Sequence, residues 1–504
     1  MKFLALRLDE HNSSVCYTDG IRVKYYKPER HNQIKHYGYN NLYDWFHTTN
    51  HLNFNINELD AVAIVMDVFR HPYIKKEDPD KLYERIDIPF KPFTDMKCPV
   101  YRVDHHYAHS LSSWMLSNTK NHVVVDGWGD LWQSTSFFKN NKKIKTFTLA
   151  ELKSFGYFLG QMGSLFGLKE AHEYDNAGKL MALKSFGQLD KKLWEKIKNL
   201  SYEKNKEVFD FHKLEAVHES VMVGRLSLLN FLHTLHKYTE EKIPPFFKKY
   251  LPTDKEITYS GGVAHNVCVN SKLKQVYKNI IIPPHCADEG LTLGAVEFLR
   301  RLYEQPKKFS NYKFPFWQSD IAPSTKPKYK TLRFVAEQLA QGKIVGWYQG
   351  HGEVGPRALG NRSILMSPEV KDGKHILNEK VKHREDYRPF AASILSHKTK
   401  DFFDWEGDSE FMKFSVKFKD KVFEPISHVD GTSRIQTVGA AKMCYKDFWC
   451  LINEFEKLTG LPMLLNTSLN DNGKPIAGAP SDALKLFKNS DLDVLVVGNE
   501  VIKK

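Results

Sequence analysis

The chain has 504 residues, of which 41% are hydrophobic and 13% aromatic, which is enough to fill two or three cores and excludes global disorder. Its 73 lysines and arginines outnumber its 60 aspartates and glutamates, which gives a net charge of +13. This excess favours anionic partners such as nucleotides, phosphates or nucleic acid.

Short apolar segments alternate with helical ones through the first three hundred residues. Because strands separated by helices build layered sheets, this order predicts an α/β fold. The spacing predicts strands at 2–7, 60–66, 122–126, 256–260 and 279–283, and helices at 105–117 and 290–303.

A polar stretch with four prolines, residues 304–331, interrupts this alternation. Prolines and polar residues between periodic segments are typical of domain boundaries. A helix near 332–341 and a strand within 343–350 are predicted next, and the last predicted strand is 493–499. We therefore expect a first domain over 1–305, a linker over 306–330 and a second α/β domain over 331–504.

The sequence predicts a cytoplasmic protein without a membrane span. No apolar run approaches the length that a bilayer requires. Arg7, Asp9 and Glu10 come too early for the apolar core of a secretory signal. The six cysteines are scattered without a Cys-x-x-Cys pair, which is typical of reduced thiols rather than of a disulfide framework.

Two histidines and two aspartates have the spacing of a metal site. His105 and His109 are four residues apart, so on a helix their rings share one face. Asp126 ends a predicted strand before a glycine turn, and Asp288 precedes a predicted helix. This mixed nitrogen and oxygen set suits iron(II), manganese or zinc but not calcium. An incidental histidine pair without a metal is the alternative.

Two polar loops follow predicted strands. The segment 260–266 reads SGGVAHN, and backbone amides in such a turn before a helix can bind a phosphate or a ribose. Gly261, Gly262 and Asn266 are the candidate contacts, and a tight structural turn is the alternative. The loop 11–14 (HNSS) is either a polar hairpin or a phosphate-facing loop.

Residues 350–390 combine basic side chains with glycines that let the backbone approach a ligand. Fixed guanidinium groups pair with phosphate or carboxylate oxygens. Prolines and aliphatic residues interrupt the charge, which favours a site for a phosphorylated, acyl-bearing small molecule over a solvated basic surface. The turns 428–434 and 466–470 add polar candidates, although either could be an ordinary turn. The candidates are Arg357, Arg362, Lys382, Arg384, Arg388, Arg434, Asn466 and Ser468.

Together these segments resemble the O-carbamoyltransferase family of nodulation-factor, aminoglycoside (tobramycin) and cephem biosynthesis, and the match runs through almost the whole chain. In the second domain the matched strings are GPRALGNRS, N-x-x-V-K-x-R-E-x-x-R-P-F-A, HVDGTSR and NTSLN-x-x-G-x-P-I. In the first domain they are HNSS, ERHNQIKH, HHYAH, VVVDGWGD, GKLMALKSFG, SGGVAHN and DEGLTLGA.

The resemblance implies a YrdC-like second domain that converts carbamoyl phosphate and ATP, bound with Mg, into carbamoyl-AMP, phosphate and pyrophosphate. The basic side chains would neutralise the phosphates that approach and leave. Catalytic positions of the family correspond to Arg357, Lys382 and Arg388. Binding positions correspond to Arg362, Arg434, Asn466 and Ser468, of which the last two would orient the intermediate.

The resemblance further implies that the first domain is an actin-like, ATPase-type duplicated α/β domain, similar to the tRNA threonylcarbamoyl-transfer protein. Its SGGVAHN turn would hold the adenylate, and His11 is the candidate general base on the acceptor hydroxyl. Iron(II), or another divalent transition metal, would polarise the carbamoyl adenylate as a Lewis acid. The family's metal positions correspond to His105, His109, Asp126 and Asp288.

Two positions depart from the family pattern. Asn12 stands where many relatives have an aspartate, which leaves the acidic partner of His11 open. His265 replaces the aliphatic residue that is common in the SGGVAHN turn, which changes the expected packing of the adenine. Both changes lie on the expected acceptor side and are consistent with a different acceptor.

The leading hypothesis is an O-carbamoyltransferase whose acceptor is the hydroxymethyl group of a modified pyrimidine in DNA or a nucleotide, or else a sugar or antibiotic hydroxyl. The basic charge favours the nucleic-acid acceptor. A tRNA threonylcarbamoyl-type enzyme shares both domain types and is the alternative enzyme. A non-catalytic nucleotide-binding or nucleic-acid-binding module is the alternative outside enzymes. The resemblance also allows a homodimer.

Overall fold

The computed structural model divides by packing into two compact units. Unit 1 is Met1–Asp60 together with Glu304–Lys504, and unit 2 is Ala61–Tyr303. The structure describes residues 1–39, 41, 43–49, 52–66, 80–151, 155–168, 174–200, 225–307 and 313–504.

Short strands make up the sheets of both units. In chain order they are β1 (Phe3–Arg7), β2 (Ser14–Thr18), β3 (Val23–Tyr26), β4 (Ala61–Val65), β5 (Tyr83–Ile86), β6 (Val100–Val103), β7 (His122–Val125), β8 (Gln133–Lys139), β9 (Lys142–Thr148), β10 (Ile257–Ser260), β11 (Ile280–Ile281), β12 (Val345–Tyr348), β13 (Arg362–Met366), β14 (Ala391–Leu395), β15 (Ser415–Lys417), β16 (Thr432–Val438), β17 (Met463–Ser468), β18 (Val494–Val497) and β19 (Glu500–Lys503).

Helices of varied length alternate with these strands. They are α1 (Glu29–Asn32), α2 (Asp44–Thr48), α3 (His105–Leu111), α4 (Phe155–Met162), α5 (Tyr174–Leu183), α6 (Lys191–Ile197), α7 (Arg225–Tyr250), α8 (Val267–Val276), α9 (Leu291–Leu302), α10 (Tyr329–Ala340), α11 (Gly373–Lys380), α12 (Thr399–Phe402), α13 (Lys446–Thr459) and α14 (Pro480–Asn489).

The α/β class predicted from the sequence is confirmed, because helices alternate with the strands of layered sheets. Each predicted strand of the first three hundred residues contains an observed one. The helix predicted over 105–117 is shorter and ends at Leu111. Ser112 follows it and donates its hydroxyl to the His109 carbonyl at 2.8 Å, and serine competes for backbone groups in this way at helix ends.

Unit 1 contains an eight-stranded mixed sheet in the order β15-β16-β14-β17-β13-β12-β18-β19. The parallel pairs include β14 with β16 and β12 with β18. In the same unit β1, β2 and β3 form an antiparallel meander. Helices α10 and α13 pack against each other beside the sheet.

Part of the predicted linker 306–330 is packed into unit 1. Phe314 and Phe316 are buried. The Ser319 amide donates to the Tyr25 carbonyl at 2.6 Å. Residues 308–312 lie outside the described part of the chain. The functional division of the chain into 1–305 and 331–504 stays a prediction.

Unit 2 contains a five-stranded sheet in the order β11-β10-β7-β8-β9, and separately pairs β4 with β6 and β6 with β5. Helices α3 and α9 lie in close contact. A Cβ on Gly294 of α9 would stand 1.8 Å from the Ala108 carbonyl oxygen of α3, so only glycine fits there. Trp114 Nε1 also donates to the Leu293 carbonyl at 3.0 Å.

Within the described residues, no helix combines the length and the apolar character needed to span a membrane.

Replacing Gly294 by alanine is expected to lower the free energy of unfolding by about 1–3 kcal/mol, because the added methyl group overpacks the contact with Ala108. The matched control is Gly178→Ala in α5, where a Cβ meets nothing within 4 Å. That control should raise stability by up to about 1 kcal/mol through helix propensity. Urea unfolding measures both variants. Equal stabilisation by the two substitutions would show that the α3–α9 contact tolerates a side chain.

Candidate functional site

Four predicted metal ligands converge in unit 2. His105 and His109 lie on α3, Asp126 follows β7, and Asp288 begins the turn before α9. The two imidazole Nε2 atoms are 3.1 Å apart. His109 Nε2 lies 3.0 Å from Asp126 Oδ2 and 3.4 Å from Asp288 Oδ1. One ligand atom from each residue lies within 4.8 Å of the others.

The chemistry of this cluster fits a divalent transition metal. Both imidazoles are at least nine-tenths buried, the Asp126 and Asp288 side chains are only 11% and 12% exposed, and two carboxylates so nearly buried need a compensating cation. Burial acts to lower the pKa of His109, but hydrogen bonds to Asp126 and Asp288 raise it above its usual value. A bound metal would take the place of that proton. Two nitrogen and two oxygen donors suit zinc, manganese or iron(II), and iron(II) itself stays a prediction.

Two aspartates that the sequence reasoning did not single out hold the metal-ligand helix. Asp104 caps α3 by accepting the Tyr107 amide at 2.9 Å. Asp130 accepts from Arg102 Nη1 at 2.7 Å and lies 3.4 Å from the His105 amide. The motif VVVDGWGD contained Asp130, and an aspartate before the histidine run is an N-cap signal. Both could therefore have been found from the sequence.

The predicted Gly261–Gly262 turn contacts Asp126, one of the four predicted metal ligands. Gly261 has φ +96°, and a Cβ there would stand 2.2 Å from the Val125 carbonyl oxygen, so the turn requires glycine. The Gly262 amide donates to Asp126 Oδ1 at 3.1 Å. The structure thus brings together the glycine turn and the metal cluster, which the sequence had placed far apart.

Asn266 has a structural role in addition to its predicted one. Its Oδ1 accepts the amides of Cys268 and Val269, each at 3.2 Å, and so caps α8. Its buried Nδ2 has no hydrogen-bond partner among the described residues. The adenylate-binding role of Gly261, Gly262 and Asn266 stays a prediction.

Basic side chains gather in unit 1 around Arg384. Burial, and then the charges of Arg388 and Arg434, push the pKa of Arg384 well below its usual value, and Arg357 acts in the same direction. A guanidinium stays protonated in proteins, so this shift reports the burial of a charged group together with repulsion from its guanidinium neighbours, and a bound anion would offset both. Arg384 stacks on Phe390, with Cζ 4.6 Å from the ring centroid. The resemblance assigned no role to Arg384.

The predicted catalytic Lys382 is buried and binds one turn of unit 1. Its Nζ donates to the Ser468 carbonyl at 2.8 Å, to Asn470 Oδ1 at 2.7 Å and to the Asn470 carbonyl. These three oxygens accept all three ammonium protons of Lys382. A hydrogen bond from Lys382 to a substrate would therefore have to replace one of these three bonds. Burial, and then Arg384 and Arg388, hold the pKa of Lys382 well below 10.5.

The Arg362 side chain makes its hydrogen bonds to groups inside the protein. It is fully buried, and its Nη2 donates to Asp320 Oδ2 at 2.7 Å and to the Gly350 carbonyl at 3.0 Å. Its Cζ lies 3.6 Å from the centroid of the Tyr348 ring. These contacts hold the loop that begins at Gly350. The predicted substrate-binding role of Arg362 stays a prediction.

Glu353, which the sequence reasoning missed, folds the loop that carries Arg357. It is fully buried, and its Oε1 accepts the amides of Leu359, Asn361 and Arg362 at 2.8, 3.0 and 3.2 Å. No local pattern marked this glutamate, because its partners are backbone amides of a loop whose shape the sequence does not reveal.

Asn466 and Ser468 lie at the end of β17. Asn466 Nδ2 donates to Ser393 Oγ at 2.9 Å and lies within 3.3 Å of Gln436 Oε1. Its Oδ1 is buried and has no hydrogen-bond partner among the described residues. Ser468 Oγ donates to Asn470 Oδ1 at 2.6 Å. The unmatched Asn466 oxygen is therefore available to an N–H donor of a ligand.

His11 lies in a loop that the segment 36–39 holds. The Asn12 amide donates to the His36 carbonyl at 3.2 Å, and Asn12 Oδ1 lies 3.0 Å from His36 Nδ1. His11 Nδ1 lies 3.3 Å from Asn12 Nδ2, so a side-chain amide stands beside the imidazole. The general-base role of His11 stays a prediction.

The motif ERHNQIKH, residues 29–36, contacts loops of the C-terminal half within unit 1. Arg30 is buried, and its Nη2 donates to the Gly355 carbonyl at 2.8 Å. A Cβ on Gly478 would stand 1.9 Å from the Arg30 carbonyl oxygen. The motif therefore supports the loop that carries Arg357. This contact could not be predicted, because the two segments are far apart in the sequence.

We expect the protein to bind about one divalent transition metal ion per chain, and the His109→Asn variant to bind it at least about 10-fold more weakly, because one of four ligands is lost. Anaerobic titration with iron(II), and titrations with manganese and zinc, followed by metal analysis, measure this. The control is His122→Asn, a buried histidine that contacts Thr258 and Asn141 instead. Equal loss of metal in both variants would contradict the assignment.

Comparison with known proteins confirms the resemblance found in the sequence. The carbamoyltransferase N-terminus family matches residues 81–296, and the carbamoyltransferase C-terminus family matches residues 336–504. The chain is 30% identical over 449 residues to the nodulation protein NolNO of Sinorhizobium fredii, with 80% of this chain and 64% of that protein covered. It therefore spans somewhat less than two thirds of that relative's length.

A second relative is matched over most of its length. The chain is 31% identical over 443 residues to an uncharacterised protein of Methanocaldococcus jannaschii, with 79% of this chain and 82% of that protein covered. Among solved structures, T. kodakarensis HypF is 12% identical with a TM-score of 0.38, and the match covers 61% of this chain and 48% of that one. A score of this size supports no inference about ligands. The two family matches and the nearly full-length relative show that the chain belongs to the carbamoyltransferase family.

Proposed function

We propose that the protein is an ATP-dependent O-carbamoyltransferase that makes carbamoyl-AMP from carbamoyl phosphate and ATP and transfers the carbamoyl group to an acceptor hydroxyl. The observation that carries this proposal is the cluster of guanidinium groups of Arg357, Arg388 and Arg434 around half-buried Arg384, which favours a polyanionic ligand. We assign adenylate formation to residues 331–504 and carbamoyl transfer to residues 1–305, joined by 306–330.

In the first half-reaction, water attacks the carbonyl carbon of carbamoyl phosphate and the bond to the phosphate oxygen breaks, which yields carbamate and inorganic phosphate. A carbamate oxygen then attacks the α-phosphorus of ATP, and the bond to the β-phosphate oxygen breaks to release pyrophosphate. Arg357, Arg388 and Arg434 offset the negative charge on both phosphates, and Mg accompanies the ATP. Arg384 joins this group on the basis of its position.

The arginines that bind the phosphates do not recognise the carbamoyl group, which needs contacts of its own. Its amide nitrogen carries two N–H donors. Asn466 Oδ1 is a buried acceptor without a partner among the described residues, which supports a hydrogen bond from that amide. Ser468 and Lys382, which meet at the Ser468–Asn470 turn, would fix the position of this end of the substrate.

In the second half-reaction, the acceptor oxygen attacks the carbamoyl carbon, the bond to the AMP oxygen breaks, and the acceptor hydroxyl loses its proton. His105, His109, Asp126 and Asp288 would hold a divalent metal ion, which supplies Lewis-acid polarisation when bound. The Gly262 amide, which already contacts Asp126, supports adenylate binding beside that cluster. His11 remains the proposed base for the acceptor proton.

The proposed acceptor is the hydroxymethyl group of a modified pyrimidine in DNA or a nucleotide. The net charge of +13 supports an anionic acceptor, because distributed lysines and arginines attract phosphates. A sugar or antibiotic hydroxyl is the alternative acceptor.

Single substitutions should impair one half-reaction and leave the other intact. Wild-type protein is expected to release pyrophosphate only when both ATP and carbamoyl phosphate are present. Arg388→Ala should lower kcat/KM for pyrophosphate release about 10²–10³-fold, because a preorganised charge is lost. His109→Ala should keep pyrophosphate release and lose the carbamoylated product. Coupled pyrophosphate assay and mass spectrometry of the acceptor measure the two steps.

The matched control for these variants is Arg333→Gln, an exposed arginine paired with Glu337 in α10, which should leave both steps unchanged. Pyrophosphate release that needs bicarbonate and threonine instead of carbamoyl phosphate would identify a threonylcarbamoyl-type enzyme. Binding of ATP without any pyrophosphate release would identify a non-catalytic nucleotide-binding protein.

Sulfate binding to the basic cluster should weaken as pH rises. Sulfate keeps its charge over this range, so the pH dependence must come from the protein. A bound anion favours the charged form of Lys382 and raises its depressed pKa, so binding takes up a proton and loses affinity at higher pH. Calorimetric titration at pH 7, 8 and 9 measures this in wild-type protein and in Lys382→Met.

The Lys382→Met variant is expected to show a flatter pH profile, whereas Lys330→Met, at an exposed position, should follow the wild type. A profile in Lys382→Met as steep as that of the wild type would show that another group takes up the proton.

A further inference from the structure

The loop after the metal ligand Asp126 carries two tryptophans that no step proposed above uses. Trp128 is half-buried and Trp132 is 53% exposed. Their ring centroids are 6.1 Å apart and the rings are inclined by 59°. Exposure of one large apolar side chain is ordinary on a protein surface. An inclined indole pair beside a metal-ligand cluster needs a more specific explanation.

The backbone holds Trp132 in a conformation that side chains rarely adopt. Leu131 has φ +53° and Trp132 has φ +62°, two consecutive non-glycine residues in the left-handed region. The Gly129 amide donates to the Gln133 carbonyl at 2.7 Å, and the Leu149 amide donates to the Trp132 carbonyl at 2.8 Å. Strained backbone that its surroundings fix in place is concentrated at binding and catalytic sites. These hydrogen bonds therefore fix the backbone on both sides of Trp132.

Both neighbours of Trp128 touch the metal ligands. The Gly127 amide donates to Asp126 Oδ1 at 2.7 Å. A Cβ on Gly129 would stand 3.3 Å from His105 Cδ2 and 2.9 Å from His106 Cδ2. The loop that carries both tryptophans thus lies against His105 and His106.

We propose that Trp132 is the stacking surface for a planar, heterocyclic acceptor and that Trp128 supports its ring. This inference rests on the proposed carbamoyl transfer and names its substrate class: a hydroxymethylated pyrimidine, presented as a nucleotide or in single-stranded DNA. An indole face stacks on any nucleobase, and the +13 charge attracts the phosphate that accompanies it. A pyrimidine stacked there would be bound by the loop that begins at Asp126.

The test is binding, measured without turnover. The probes are 5-hydroxymethyl-2′-deoxycytidine 5′-monophosphate, a short single-stranded oligonucleotide that contains this base, and methyl glucoside as a non-aromatic alcohol. Trp132→Ala is expected to weaken binding of both base-containing probes about 10-fold, and Trp132→Phe should recover most of the affinity because it keeps an aromatic face. The nucleotide and oligonucleotide arms distinguish a free from a polymeric acceptor.

Controls separate recognition from damage to the fold. Trp132→Ala should keep the wild-type metal content, thermal unfolding temperature and pyrophosphate release. Tyr329→Ala removes a 61% exposed aromatic side chain from unit 1 and should leave probe binding unchanged. Size-exclusion chromatography of Trp132→Ala should match the wild type. A change in oligomeric state would overturn the proposal and make the tryptophans a contact between copies of the chain.

The inference fails if wild-type protein binds neither base-containing probe, if Trp132→Ala binds them as tightly as wild type, or if methyl glucoside is the probe whose binding needs Trp132. Carbamoylation of a sugar without binding of a base would uphold the proposed transfer and reject this acceptor class. Binding of the base without any carbamoylated product would uphold the stacking surface and reject the proposed transfer.

Discussion

Unit 2 must hold two carboxylates and two imidazoles within 4.8 Å of one another in a buried volume, and this requirement shapes the elements around them. The ligands come from a helix, a strand end and a turn that are far apart in the chain. Their convergence depends on close backbone contacts that tolerate no side chain, at Gly294 against α3 and at Gly261 against Val125. Charged groups at such short distances also need a compensating cation. Both the geometry and the chemistry of the site therefore support the proposed binding of a divalent metal ion.

Unit 1 gathers the opposite charge, in its cluster of arginines. Two of its buried carboxylates organise backbone: Glu353 binds loop amides, and Asp320 binds Arg362 and the Gly352 amide. Glu385, which lies 3.6 Å from Arg388, offsets only part of the charge of the arginine cluster. Burial acts to raise the pKa of Asp320, yet Arg362 and the neighbouring hydrogen bonds hold it below its usual value. A bound anion would relieve the remaining repulsion around Arg384, which supports the binding site proposed there.

Local patterns in the sequence predicted where side chains lie on a single helix or at the end of a single strand. The spacing of His105 and His109 placed both rings on one helical face, and the ends of apolar strands placed Asp126 and the glycine turn. Contacts between distant segments could not be predicted, because no local signal marks them. The resemblance supplied the residue types of the site but not their partners, so the internal commitment of Arg362 and the capping role of Asn266 appeared only in the structure.

Packing divides the chain differently from its family matches. Unit 1 is discontinuous: its first sixty residues contact loops beyond residue 350, and roughly 240 residues of unit 2 lie between the two pieces. During translation at about 5–20 residues per second, the N-terminal segment waits on the order of 10–50 s before its partners leave the ribosome. Over that time unit 2 can complete its own core, whereas the segment around Arg30 still lacks the loop at Gly355 that it contacts. A nascent chain of this design is exposed to chaperones at its beginning for longer than at its middle.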